Sequence, residues 1–305
     1  MSGHSRIRNQ GQDSYHTAAD FYRCLRTEVV EGNPALSKSE NELLRAHYPI
    51  MMQECSYPMR LAQRIYAARR QHAVAAVRAA ESPVVFDAGC GYGSESFLFA
   101  MLGARVIAVD LSPAQIAIAE RRRAYYESLN KPLAIEFIVA DLDSYVPPES
   151  DLSLTWLASV LPSIKNKLEF LRRVGSATRR GGRVLITDLS MANPMFALSE
   201  HRRGHFGDGR LSWVRPLLDR LQRQPHEACR YPIGPDNPDG YAQFLDSRRL
   251  AALLISSGFT VSVVDHAGFA PPQILGSFSA GAEAWIGQLP WITRFGLFYT
   301  VGADK

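Results

Sequence analysis

An α/β fold, built on a doubly wound and mostly parallel sheet of seven strands, is what this sequence predicts, and three observations predict it. Residues Val84 to Gly93 run from an apolar stretch through a carboxylate into three glycines at alternate positions, as a buried strand turning sharply into a helix requires. Further apolar runs, ending in Asp110, Asp141 and Asp188, alternate with stretches of helical periodicity. Strands that alternate with helices are joined by right-handed crossovers and therefore lie parallel.

Taken in order, residues 1–14 are polar and read as a disordered N-terminus. Residues 15–81 read as a helical cap. Ser39 and Glu42 have the spacing of a capping box, Gly32 and Pro34 supply a stop before it, and Pro58 breaks the helical stretch that follows. This cap is expected over the ligand end of the sheet, and a homodimer or higher homo-oligomer interface is nearly as good a use for it. The core, 82–189, begins with the strand Val84 to Ala88, a helix from Ser94 to Leu102 and a stop at Gly103. A second strand runs from Arg105 to Asp110, and Ser112 followed by Pro113 starts a helix that ends near Leu129. Strands at 134–141 and 151–157 come next. In the segment 164–178, Leu168, Phe170, Leu171 and Val174 form one buried stripe. A glycine turn at 181–182 leads into a strand ending at Asp188.

Residues 190–245 exceed an ordinary connection and carry Trp213, Tyr231 and Tyr241, so they read as a lid over the substrate. The core resumes at 246–305 with a capped helix at 247–258, a strand at 259–264, a short insertion at 268–290 and a last, antiparallel strand near 295–301.

Composition is that of an ordinary globular chain: 305 residues, 46% hydrophobic, 21% charged, net charge +4. So small an excess of positive charge does not call for a nucleic-acid face, and Arg121-Arg122-Arg123 and Arg172-Arg173 are expected on solvated helix surfaces. Cys24, Cys55, Cys90 and Cys229 lack paired spacing, which argues against a zinc site or a disulfide framework and fits the cytoplasm. No apolar run is long enough to span a membrane.

The carboxylate ahead of the glycines is the chemically decisive residue. Asp87 would repel a pyrophosphate and would pair well with an ammonium group. Together with the acids that end the next strands, this run resembles the first motif of the class-I S-adenosylmethionine-dependent methyltransferases. The likeness covers about residues 80–190 well and 245–305 more loosely. It implies a Rossmann-like fold, S-adenosylmethionine as cofactor, and a cradle formed by Asp87 on the methionine ammonium and by Gly89, Cys90, Gly91 and Gly93 along its amino-acid and ribose parts. It further implies Asp110 on the ribose hydroxyls, Leu111 on the adenine face, and Asp141 and Leu142 on the adenine edge. Trp156 falls where the family lines the methyl and substrate region, and core packing suits it equally.

For proton removal the candidates are His201 and His205, four apart and able to share a helix face, although an amine or acidic hydroxyl acceptor needs no strong base. Gly204 between them and the lack of a nearby acidic cluster disfavour a metal. The expected activity is methyl transfer to a small-molecule acceptor, a natural-product or lipid-like intermediate, with O-, N- and C-methylation all open; the aromatics Tyr15, Phe21, Tyr22, Tyr48, Trp213 and Phe244 of the cap and lid suit an apolar or ring-bearing acceptor. An RNA or protein methyltransferase and a nucleotide-binding oxidoreductase are the alternatives. Against the former, Leu154-Thr155-Trp156-Leu157 lacks the Pro-Pro run of base-amino methylases; against the latter, the third glycine comes one residue early for a pyrophosphate loop.

Overall fold

The computed structural model of the chain describes residues 18–48, 70–129, 132–148, 151–190, 229–230, 241–267 and 298–305. Strands β1 (Val84–Ala88), β2 (Arg105–Asp110), β3 (Ile135–Val139), β4 (Leu152–Ala158) and β5 (Thr178–Leu189) come first. The pair β6 (Cys229–Arg230) and β7 (Tyr241–Ala242) forms a separate small sheet, and β8 (Thr260–Ala267) and β9 (Phe298–Asp304) complete the main one. Among the described residues its order is β3-β2-β1-β4-β5-β9-β8, seven strands. In this sheet β9 runs antiparallel to both its neighbours, wedged between β5 and β8.

Helices cover both faces because every central strand is apolar on both sides. On one face lie α1 (Ala18–Glu31), α2 (Lys38–His47), the helical residues 70–79 (α3), α4 (Ser94–Met101) and α5 (Pro113–Leu129), packed on Val85, Val106, Ala108, Leu154 and Trp156. On the other, α6 (Lys167–Ala177) and α7 (Ser247–Ser256) cover Phe86, Ile107, Leu157, Val184 and Tyr299. Crossovers from β1 and from β4 therefore leave in opposite directions. The carboxyl ends of those two adjacent strands open the crevice in which such sheets bind ligands.

The expected boundaries move by a few residues at several ends, and each shift has a local cause. The capping box sits at Ser37 and Glu40, two residues before the pair expected from sequence. Ser37 Oγ accepts from the Glu40 amide at 3.3 Å, and Glu40 Oε2 accepts from the Ser37 amide at 2.8 Å. Starting there turns Leu44 into the core and lets Asn41 Nδ2 donate to the carbonyls of Asn33, Leu36 and Ser37. The α7 cap is Asp246, whose carboxylate accepts from the Arg249 amide at 2.8 Å.

A second correction concerns Arg122, which does not face water: it is fully buried and paired with Glu28 of α1. Arg121 beside it is exposed and pairs with Glu40 of α2. Of the aromatics expected to line an acceptor pocket, Phe21, Tyr48 and Phe244 are buried, the first two in the core under α1 and α2; Tyr15 and Trp213 lie outside the described residues. So do the proposed disordered start, most of the 190–245 lid and the 268–290 insertion. Among the described residues no helix is long and apolar enough to cross a membrane.

Ser37→Ala removes a cap and lowers the unfolding free energy by about 1 kcal/mol. Ser39→Ala, two residues further on, changes it by less than about 0.5 kcal/mol in urea denaturation.

Candidate functional site

The glycine loop leaves β1 at the switch point. Gly89 and Cys90 both donate their amides to the Val109 carbonyl, at 2.7 and 3.0 Å, so the loop is stitched to the end of β2. Gly89 has φ 77°, and an added Cβ would lie 2.3 Å from Val160 Cγ2 in the turn after β4. No other residue fits there. At Gly91, by contrast, a Cβ would meet, among the described residues, only Gln115 Oε1 at 3.4 Å. The loop is therefore tight against the protein at Gly89 and open at Gly91, as a backbone that must approach a ligand requires.

Asp110, at the end of β2, closes onto this loop. Its Oδ2 accepts from the Gly91 amide at 2.8 Å and its Oδ1 from the Ser112 amide at 2.9 Å. A carboxylate offers about four acceptor sites over its two oxygens. Leu111 beside it is 49% exposed, an apolar surface left bare next to a carboxylate.

Asp87 lies deeper, only 2% exposed, paired in register with Trp156 across β1 and β4. Ser96 Oγ, in the first turn of α4, donates to its Oδ2 at 2.5 Å. Burial raises its carboxyl; the Ser96 bond opposes this and the charges of Glu95 and Asp110 add to it, leaving the pKa at about 8. A carboxyl so placed is a receptor for a cation, because a positive partner restores the charged form that burial disfavours.

The remaining expected residues divide. Asp141 is exposed and its Oδ1 accepts from the Asp143 amide at 2.9 Å, while Leu142 is buried in the second core. Cys90 is buried and its thiol is pushed well above its ordinary value by burial and then by Asp87 and Asp110, so it stays protonated. Trp156 packs edge-on to Phe99 of α4, ring centroids 6.0 Å apart, and is 1% exposed. His201 and His205 lie outside the described residues, among which no cluster of metal-ligating side chains occurs.

Sequence reading missed a network behind the loop. Arg122 donates to Glu28 from Nε and Nη2, at 2.8 and 2.7 Å, and from Nη1 to the Tyr92 carbonyl and, at 3.0 Å, to Ser94 Oγ. Tyr126 Oη and Asn33 Nδ2 also donate to Glu28, each at 2.8 Å. Burial would raise the Glu28 carboxyl, but the Arg122 charge and these bonds outweigh it and hold it below its usual range. The clue was in the spacing: Ile118, Ala119 and Tyr126 mark a buried stripe of α5, and Arg122 falls within it.

Residues 85–182 match a protein family described as a methyltransferase domain. The chain is 29% identical over 126 residues to phosphoethanolamine N-methyltransferase 3 of Arabidopsis thaliana, covering 40% of this chain and 25% of that protein. It is 27% identical over 149 residues to the ubiquinone biosynthesis O-methyltransferase of Methylocella silvestris, covering 48% and 56%. It thus spans between a quarter and just over half of these relatives. A solved S-adenosylmethionine-dependent methyltransferase from Methanosarcina mazei shares the fold at 16% identity, with a TM-score of 0.50 over 74% of this chain and 93% of that one.

Because its carboxyl is raised to about 8 on folding, Asp87 contributes stability that is complete below an ordinary carboxyl pKa of 3.8 and is lost as pH rises through about 8. Asp87→Asn removes that loss. In thermal unfolding of the ligand-free chain, the variant gains on the parent between about pH 4 and about pH 8 and keeps a steady difference above that; a constant difference between about pH 4 and about pH 8 is the contrary result.

Proposed function

Residues 85–182 form a class-I S-adenosylmethionine-dependent methyltransferase domain, and from that premise we propose that the protein transfers a methyl group to a small-molecule acceptor, a natural-product or lipid-like intermediate. The observation that carries the reading is the buried, cation-seeking Asp87, set one loop away from Asp110 at the switch point of the sheet. A donor with an ammonium at one end and a ribose diol toward the other fits these two carboxylates. The residues between them fit it too: Gly91 leaves room for close approach, and Leu111 offers an apolar surface suited to a purine face.

When bound, S-adenosylmethionine supplies an electrophilic methyl on a sulfonium, which an acceptor nucleophile takes in line as the carbon–sulfur bond breaks. The protein's part is to bind, orient and exclude water. Asp87, ionised by the ammonium, would fix the amino-acid end, and Asp110 would fix the ribose through two acceptor oxygens. Asp141, exposed beyond β3, would take the adenine amino group, with Leu142 beneath it. Trp156, sealed against Phe99, would form the floor under the amino-acid end. Displacement by an amine or an acidic hydroxyl needs no strong base, so nothing here depends on His201 or His205. The small-molecule acceptor is supported by the names of the phosphoethanolamine and ubiquinone-pathway relatives, one an N- and the other an O-methyltransferase.

In a thermal-shift assay S-adenosylhomocysteine raises the melting temperature of the chain and NAD does not; stabilisation by NAD alone sinks the proposal. Asp110→Ala abolishes S-adenosylhomocysteine binding in calorimetry, and tight binding by that variant removes the ribose assignment. Since the ammonium must ionise Asp87, donor affinity rises with pH up to about 8 and a proton is released on binding below it. Titration in two buffers of different ionisation enthalpy measures that proton.

A further inference from the structure

Four side chains converge on residues 92–95, three from the helices that precede the sheet and one from α5. Arg122 of α5, held by Glu28 of α1, donates to the Tyr92 carbonyl and to Ser94 Oγ. Tyr48, which ends α2, donates from its hydroxyl to the same Ser94 Oγ at 2.5 Å. The His47 ring stands edge-on to the Tyr92 ring, centroids 4.9 Å apart. Arg70 of α3 pairs with Glu95 in the first turn of α4. The glycines on either side of Tyr92 have no side chain with which to fix themselves, so the position of this stretch is set by the Asp110 bond to the Gly91 amide on one side and by what grips Tyr92 and Ser94 on the other.

Glu28 has no slack. Its two oxygens accept four hydrogen bonds, two from Arg122 and one each from Asn33 and Tyr126, which fills the acceptor capacity of a carboxylate. With two of its nitrogens committed to Glu28, the guanidinium has a fixed plane, and that plane aims Nη1 at the loop. Take Glu28 away and a fully buried cation loses its counter-charge; it must turn or admit water, and the Tyr92 carbonyl loses its donor.

We propose that Glu28 is a positioning residue for the methyl donor: through Arg122 it sets the backbone between Gly91 and Gly93, so that the cradle takes its binding shape only with α1 docked. This rests on the methyl-donor reading of the loop. The helix in question lies more than fifty residues before the glycines in sequence, outside the 85–182 match to the methyltransferase domain.

The test is calorimetric binding of S-adenosylhomocysteine to the full chain, with amide hydrogen exchange at Gly91 and Gly93 measured without ligand. Glu28→Gln weakens binding by about tenfold or more, the loss expected for a hydrogen bond to a charged group, and speeds exchange at both glycines. Since it also leaves a buried charge, a second protein carries Glu28→Met together with Arg122→Met, which removes both charges at similar volume and keeps the fold stable. That double variant still binds about tenfold more weakly, and Ser94→Ala, which leaves the Glu28–Arg122 pair in place and removes the acceptor shared by Arg122 and Tyr48, weakens binding in the same direction. Leu25→Ala, an apolar truncation in α1, lowers the melting temperature and leaves affinity near that of the parent.

Parent-like affinity in the stable double variant or in Ser94→Ala overturns the proposal. So does a loss in Leu25→Ala as large as that in Glu28→Gln. A parent chain that fails to bind S-adenosylhomocysteine refutes the donor reading instead, while unchanged exchange at Gly91 and Gly93 in Glu28→Gln refutes the role of Glu28 with no ligand involved.

Discussion

The ion pair between Glu28 and Arg122 is the constraint on which the arrangement of the first face depends. Two charges withdrawn from water are tolerated only when every donor and acceptor on them is used, and here the partners come from α1, α5, the turn at Asn33 and the loop after β1. Such a pair contributes little net stability compared with an apolar packing of the same volume. What it contributes is registry: α1 cannot slide along α5 without breaking bidentate geometry, and the loop cannot shift without losing a donor. Around it stack Phe21, Phe97 and Tyr126, with the Arg122 guanidinium 5.3 Å from the Phe97 ring centroid, so the polar centre sits in an aromatic sleeve.

Beyond that centre, the site follows from topology. Reversal of the winding direction between β1 and β4 opens a crevice, and the residues at its rim are those that end the strands. Asp87 and Asp110 have opposite characters there although both are strand-terminal acids. One is enclosed, raised to about 8 and answered by Ser96; the other is half-buried and engaged by two backbone amides. A single ligand that satisfies both must carry its positive charge at one end.

The elements legible from sequence were those with short-range signals. Strand β1, the glycine turn, β2 and the Pro113 start of α5 follow from apolar runs, a carboxylate and a capping serine, all local. The class of fold and the donor residues rest on these. Harder to see was any feature whose meaning depends on a distant partner. Ser37 and Ser39 each have a glutamate three residues on, and only the docking of Leu44 decides between them. Arg122 sits in a run of three arginines that reads as a wet surface, and its burial becomes intelligible only once Glu28, 94 residues earlier, is opposite it. Phe21 and Tyr48 looked like pocket lining for the same reason: apolar composition says that a residue is covered without saying by what.

The placement of β9 has a consequence for the order in which the chain can assemble. Among the described residues it is the last strand along the sequence, yet it occupies an interior position and is the sole neighbour of β8 in the sheet. On the ribosome, β8 emerges with its hydrogen-bonding edge unclaimed and must wait for at least thirty further residues before a partner exists. During that interval the β5 edge is equally bare. Two unpaired edges held open at once invite pairing between nascent chains or capture by a chaperone, and the interval closes only when β9 threads between them. Vectorial synthesis thus leaves this sheet half-zipped until the final strand is made, a kinetic vulnerability invisible in the finished molecule.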